Sequence, residues 1–215
     1  MANVKPLRRA YESTLRSEQA RQTRARILDA AQRLFSERGY GGTTMEAIAG
    51  GAGVATDTVY ASFRSKPGVL HALLDIRVAG DEAPIGITAR EGPQAVRRER
   101  SQRRQVKGFA TGVAEILERA RPVDDIMRGA AAVDPEIAAL RARMQQGRHD
   151  NMRQFVGWLA ANGPLRKGLT EDDAADIVWA VASPEMHGLL RAGRGWASER
   201  YRDWLEATLR RTLLA

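Results

Sequence analysis

A chain of 215 residues with no cysteine excludes disulfides, thiolate catalysis and Cys-based zinc sites. It is 43% hydrophobic, yet no apolar run approaches the roughly 18 residues that would suit a membrane span. Its net charge of +8 favours polyanionic partners. The charged N-terminus is not followed by an apolar stretch, so no secretion signal is expected, and a cytoplasmic protein with a substantial core is. The charge is uneven. Residues 1–71 hold 11 Lys/Arg against 6 Asp/Glu, whereas 72–215 hold 23 against 20. Most of the surplus therefore lies in the first third, as a polyanion-facing surface or as a merely solubilising one.

Residues 1–17 are basic and aperiodic and read as a flexible arm. Its Lys5, Arg8, Arg9 and Arg16 either reach phosphates or the minor groove, or remain in a solvated tail. A first helix should open near Ser17 and end at Gly39, because Ile27, Leu28, Ala31, Leu34 and Phe35 recur on one helical face. Arg21, Arg24 and Arg26 stand near its start, the wrong end for the helix dipole. A phosphate backbone would offset that, or water solvates them. Thr43 and Glu46 then form a capping box before a short helix to about Gly50, with Met45, Ile48 and Ala49 inward. Gly53 supplies the turn, and Thr56 to about Ser62 makes a second short helix with Val59 and Phe63 on its buried side. Two short helices around a Gly-containing turn are either a helix-turn-helix or a plain helical corner.

The ordered set Ile48-Ala49, Ala52-Gly53-Val54, Thr58-Val59-Tyr60, Phe63, Ser65-Lys66 and Leu70, with Arg24 to Tyr40 upstream, resembles the DNA-binding region of the TetR family of transcriptional repressors. The likeness covers about fifty residues and departs from the family pattern in four places. Ala55 stands where a capping Ser is usual, Ser62 replaces a His or aromatic, Gly50-Gly51 loosens the first short helix, and Pro67 replaces an acid. The resemblance implies phosphate contacts from Thr44, Tyr60 and Lys66, with Thr43 and Ser62 beside them. Thr56, Asp57 and Thr58, at the start of the recognition helix, are the candidates for base edges. Asp57 would accept from a cytosine amino group or repel phosphates.

Ser65 should cap a fourth helix running to about Ala79, which in the family joins head to body. Asp81 to Pro93 reads as a loop. A helix after Pro93 should continue, unbroken or with one break, to about Ala120, with Arg97, Arg100, Arg104 and Lys107 on one face and Arg103 close by: a solvated stripe, an acidic-effector site or a second DNA patch. Pro122 should start another helix to about Ala131. Asp134-Pro135 opens a long one, stopped at Asn162-Gly163-Pro164. Thr170 to Asp173 resembles a capping box; the helix it opens is kinked or restarted at Ser183-Pro184, and a last helix spans about Ser198 to Leu214. The expected fold is all-α, nine or ten helices. It would comprise a helix-turn-helix domain over 18–66 and a larger effector-binding and dimerisation domain over 67–215.

Met144, Met152, Phe155, Trp158, Trp179 and His187 are candidates to line a ligand pocket or simply to pack the core. By resemblance, roughly 170–192 and 198–214 would pair with a second subunit, with Ala174, Ala175, Ala180 and Ala182 permitting close approach. No enzymatic motif occurs, and no catalytic residue, cofactor or metal is expected. Asp172, Asp173 and Asp176 are explained by capping a helix start. Two functions remain open. One is a regulator, expected to be a repressor, released from a palindromic DNA operator by a small molecule. The other is a helical ligand-binding or adaptor protein whose helix-turn-helix no longer reads DNA.

Overall fold

The computed structural model describes the backbone of residues 5–215 and the side chains of residues 18–215. The helices are α1 (Lys5–Arg38), α2 (Met45–Ala52), α3 (Thr56–Phe63), α4 (Lys66–Ala79), α5 (Glu91–Arg98), α6 (Gln102–Ala131), α7 (Pro135–Ala160), α8 (Glu171–Val181), α9 (Pro184–Gly188) and α10 (Ser198–Leu213). A 3-10 turn at Ile87–Ala89 and a π-helical turn at Leu189–Gly193 complete the list. The described residues hold no strand; Leu165 and Leu214 form an isolated antiparallel bridge. The chain is all-α, and no described helix is long and apolar enough to cross a membrane. The chain divides into two compact units, the first ending at Leu73 and the second beginning at Leu74, within α4.

In the first unit α1 begins at Lys5, not near Ser17. The first four residues, and the side chains of Lys5, Arg8, Arg9 and Arg16 on which an arm would depend, lie outside the described residues. Ile27, Leu28, Ala31, Leu34 and Phe35 are buried, as their spacing requires, and so are Ile48, Val59, Phe63 and Leu70. Gly39 takes φ 71°, the left-handed conformation that ends a helix without a Cβ penalty. The α2 cap is Thr44, not Thr43: the Thr44 hydroxyl accepts from the Ala47 N–H at 3.1 Å. Thr43 faces inward, and its hydroxyl donates to the Gly39 carbonyl at 2.9 Å. The cap is therefore one-sided, since Ala47 and not Glu46 stands three residues after Thr44.

In the second unit the helix after Pro93 does not run unbroken. α5 stops at Arg98, and the Glu99 carboxylate accepts the Arg100 and Ser101 N–H groups at 2.7 and 2.8 Å, turning the chain into α6. The basic stripe is therefore split: Arg97 lies on α5, Arg100 in the link, and Arg103, Arg104 and Lys107 on α6. Arg104 is engaged by Glu99 at 2.9 Å. Pro122 does not begin a helix but sits inside α6. Proline costs one helical hydrogen bond there. Buried Leu117, Ala120, Val123 and Met127 flank it, and their packing holds the helix together across the gap.

Asp134 caps α7 through the Glu136 and Ile137 N–H groups, with Pro135 at the first turn. Thr170 caps α8 and Ser183 caps α9. The core joins Val106, Ala110, Ala114 and Leu117 of α6 with Phe155, Val156 and Leu159 of α7. Ala174, Ala175 and Val178 of α8 and Tyr201, Leu205, Leu209 and Leu213 of α10 complete it. Ala174, Ala175 and Ala182 are thus buried within one chain and are not a stripe left open for a partner; Ala180 is exposed.

Candidate functional site

The outward face of α3 is set by what the helix buries. Val59 and Phe63 point into the core, which leaves Asp57 and Tyr60 outward and Thr56 and Thr58 half-buried. Tyr60 is 43% exposed, unusual for a ring with no protein surface over it. The α2–α3 turn is closed by Gly53 at φ 65°, ψ 42°, whose N–H reaches back to α2 carbonyls. Ala55 caps α3 with no side-chain hydrogen bond, so the N-terminal N–H groups of α3 keep their polarity toward an anion. Thr44 is exposed at the α2 start. Beside it Glu46 is held below the usual carboxylate range by its own backbone N–H and the Thr44 hydroxyl.

Three expected contacts have structural work. Thr43 is buried and presents no side chain to a ligand. Ser62 is exposed, but its hydroxyl donates to the Thr58 carbonyl at 2.8 Å. The Lys66 ammonium donates to the carbonyls of Tyr40 and Thr43, both at 3.0 Å, and lies 4.2 Å from the Tyr40 ring centroid.

Sequence reasoning missed two residues. Arg24 is neither merely solvated nor waiting for a phosphate. Its guanidinium donates to the Ser62 carbonyl at 3.3 Å and sits 4.3 Å over the Phe63 ring, placing a cation at the C-terminal end of α3, where the helix dipole favours it. Gly68 packs so closely that a Cβ there would lie 2.2 Å from the Phe63 carbonyl oxygen. Only the Lys66-Pro67-Gly68 run hinted at it.

Residues 27–73 match the profile for bacterial regulatory proteins of the tetR family. The HTH-type transcriptional regulator TtgR of Pseudomonas putida is 45% identical over 58 residues, covering 27% of this chain and 28% of TtgR. The match thus spans little more than a quarter of that relative's length. The HTH-type transcriptional repressor BepR of Brucella suis is 26% identical over 83% of this chain and 85% of its own. Over residues 27–73 the chain carries the DNA-binding region of the tetR family. A complex of SmeT with triclosan shares the fold beyond the head, with a TM-score of 0.66 at 24% identity over 90% of this chain and 92% of SmeT.

In the second unit the six pocket candidates separate into two groups. Phe155 is core, stacked on Phe109 with centroids 3.9 Å apart, and Met152 and Trp158 pack against the same cluster. Met144 is half-buried on α7. Trp179 and His187 instead meet polar groups. The Arg148 guanidinium lies 4.7 Å over the Trp179 ring and donates to the Trp179 carbonyl at 2.8 Å. His187 is buried, its Nε2 3.0 Å from the Glu118 carboxylate and its ring edge-on to Tyr201 at 4.7 Å. Arg191 clamps the same Glu118.

Sequence reasoning did not single out Asp124, Arg141, Arg148, Glu185 or Tyr201 for this region, because their charges are spread over four helices. Arg141 lies 2.7 Å from Glu185 and 3.8 Å from Asp124. Burial pushes the Asp124 carboxyl up and the Arg148 guanidinium down to about 10. Burial also lowers His187, against the pull of Glu118. The α8 acids are spread over separate partners: Asp173 bonds Thr170, Asp172 pairs with Arg153 at 2.9 Å, and Asp176 with His149 at 2.9 Å. The described residues hold no group of three metal-ligating side chains.

Proposed function

We propose that this chain is a cytoplasmic, sequence-specific DNA-binding regulator, a repressor that a small molecule releases from its operator. As a homodimer it sets two α3 helices into successive major grooves of a palindrome, roughly 34–36 Å apart. The observation that carries this reading is the exposed Asp57 and Tyr60 on a helix whose opposite face is locked by Val59 and Phe63. Thr44, Tyr60 and the α3 N-terminus bind phosphates; Thr56, Asp57 and Thr58 meet base edges. TtgR and BepR, described as a transcriptional regulator and a repressor, support the assignment for the head. SmeT holding triclosan supports a small-molecule effector in the body.

The dimer forms through residues 170–192 and 198–214, where Leu189 is 64% exposed, a large apolar side chain left to a partner. The effector acts because it binds the DNA-competent and released states with different affinity.

Fluorescence anisotropy on DNA from upstream of the coding region, against scrambled DNA and across salt, tests this. Tight binding that survives scrambled competitor at two chains per site, weakened about tenfold or more by Tyr60→Ala with folding intact, is the expected result. Equal, steeply salt-dependent binding to both DNAs would reduce the head to a basic surface and favour the adaptor reading.

A further inference from the structure

Several buried polar atoms of the second unit have no partner within the protein. Besides the Thr208 hydroxyl, they are Arg141 Nε, Trp179 Nε1, His187 Nδ1 and the Tyr201 hydroxyl, and it is these four that matter here. They belong to one neighbourhood. Arg148 stacks on Trp179 at 4.7 Å, His187 meets the Tyr201 ring at 4.7 Å, and the Arg148 charge acts on Tyr201, Glu185 and Asp124. Arg141 reaches the same Glu185. Buried polar groups in native proteins are almost always bonded, because leaving one unmade forfeits its hydration with no return. A cluster of such atoms marks a place where something else completes them.

Their chemistry says what. Arg141 Nε and Trp179 Nε1 can only donate, and the Tyr201 hydroxyl donates readily. His187 Nε2 faces the Glu118 carboxylate, which only accepts, so that nitrogen carries the proton and Nδ1 of the neutral ring is left as the acceptor. Donors therefore outnumber acceptors. The charges point the same way. Asp124 and Glu185 face Arg141, but Arg148 bonds a carbonyl and the Gln145 side chain and has no carboxylate partner. Burial lowers its basicity by more than the nearby Glu185 and Asp124 carboxylates raise it. A guanidinium with no carboxylate bonded to it is the group a ligand's negative charge would meet, and the Trp179 ring provides flat apolar surface beside it.

We infer that Arg148, Arg141, Trp179, Tyr201 and His187 form the effector site of the body and that it takes a small aryl or alkyl monocarboxylate. This rests on the ligand-released regulator proposed above. The carboxylate meets Arg148 and accepts from Tyr201 and Trp179, while His187 Nδ1 receives a donor on the ligand or a bridging water.

The test uses the full-length protein and isothermal titration with benzoate and hydrocinnamate, against benzamide and benzylammonium as neutral and cationic counterparts. The expected result is saturable carboxylate binding at least tenfold tighter than either counterpart. Arg148→Gln should weaken it about ten- to a hundredfold, the usual effect of losing a charge-assisted bond. Tyr201→Phe should weaken it several-fold without lowering the melting temperature of the unliganded protein, since its hydroxyl bonds nothing there. A structural tyrosine would lower that temperature instead. No saturable carboxylate binding, as when only buried water completes the cluster, overturns the inference. So does binding of the amide or amine as tightly, or binding that survives Arg148→Gln. Operator binding is read separately. Intact DNA binding with no carboxylate binding sinks this site alone, whereas carboxylate binding with no specific DNA binding sinks the regulator and leaves the site.

Discussion

The ammonium of Lys66 lies 4.2 Å from the centroid of the Tyr40 ring and donates to the carbonyl of Tyr40 itself at 3.0 Å. A second bond to the Thr43 carbonyl ties the start of α4 to the loop between α1 and α2. Lys66 therefore holds the frame from which α3 is presented, and any phosphate contact it makes is secondary to that. Lys66→Met keeps the aliphatic stem but strands two carbonyls. Charge-assisted bonds and a partly desolvated cation–π contact together set the loss at about 1–3 kcal/mol. Urea denaturation should show that loss alongside weaker operator binding. Unchanged stability with weakened DNA binding would return Lys66 to a purely phosphate-contacting role.

Gly68 constrains the same corner sterically. An added Cβ would meet the Phe63 carbonyl oxygen at 2.2 Å, and backbone cannot yield as a side-chain tip can. The Gly68 N–H also bonds the Ser65 hydroxyl at 3.2 Å. Gly68→Ala should cost about 1–3 kcal/mol, the usual range for overpacking. At Gly50 a Cβ meets nothing within 4 Å, so Gly50→Ala should instead stabilise the exposed α2 position by up to about 1 kcal/mol. Thermal melts of the two variants should move in opposite directions.

What the sequence made legible follows from range. Periodicity placed Ile27, Leu34, Val59 and Phe63 in the core because each obeys a local rule, and the Asp134, Thr170 and Ser183 caps were local for the same reason. The Thr43-for-Thr44 change shows the limit of that method: Thr43 with Glu46 fits the capping-box pattern, yet Thr43 bonds back to Gly39 and leaves the cap to Thr44. Pro122 looks like a helix start, yet flanking buried residues override it. Arg24, reaching Ser62 across 38 positions, and Arg141, reaching Glu185 across 44, leave no periodic trace. The residues exposed on the two short helices were therefore mostly readable, and the polar cluster of the body was not.

A second long-range device joins the α5–α6 break to the end of α7. Gln105 is buried; its amide donates to the Val96 and Trp158 carbonyls at 3.2 and 3.3 Å. Asn162 donates to Gln105 Oε1 and to the Glu99 and Trp158 carbonyls, each at 3.1 Å. Gln105→Leu conserves most of the volume but leaves these groups unsatisfied. A loss of about 2–4 kcal/mol is expected, at one to two unmade buried bonds. Asn162→Ala in the same background should then cost far less than in the wild type, because both remove one network. Additive losses in that double-mutant cycle would show the two amides act independently.

His187 gives the body a defined acid sensitivity. Burial holds its folded value below that of an exposed histidine, about 6.5, despite Glu118 3.0 Å away, and Arg121 and Arg191 nearby add to the lowering. As pH falls through about 6.5 the unfolded chain takes up a proton that the folded ring still refuses, so unfolding stability falls with pH in that window. Glu118, held low chiefly by Arg191, titrates below about 4.3 and does not enter it. Asp124, raised by burial, acts with the opposite sign, gaining stability as pH falls. His187→Gln removes the histidine contribution and leaves that of Asp124. Between pH 7.5 and 5.5 the melting temperature of the wild type should therefore fall more, or rise less, than that of the variant. Parallel curves would mean that His187 titrates alike in the folded and unfolded chains.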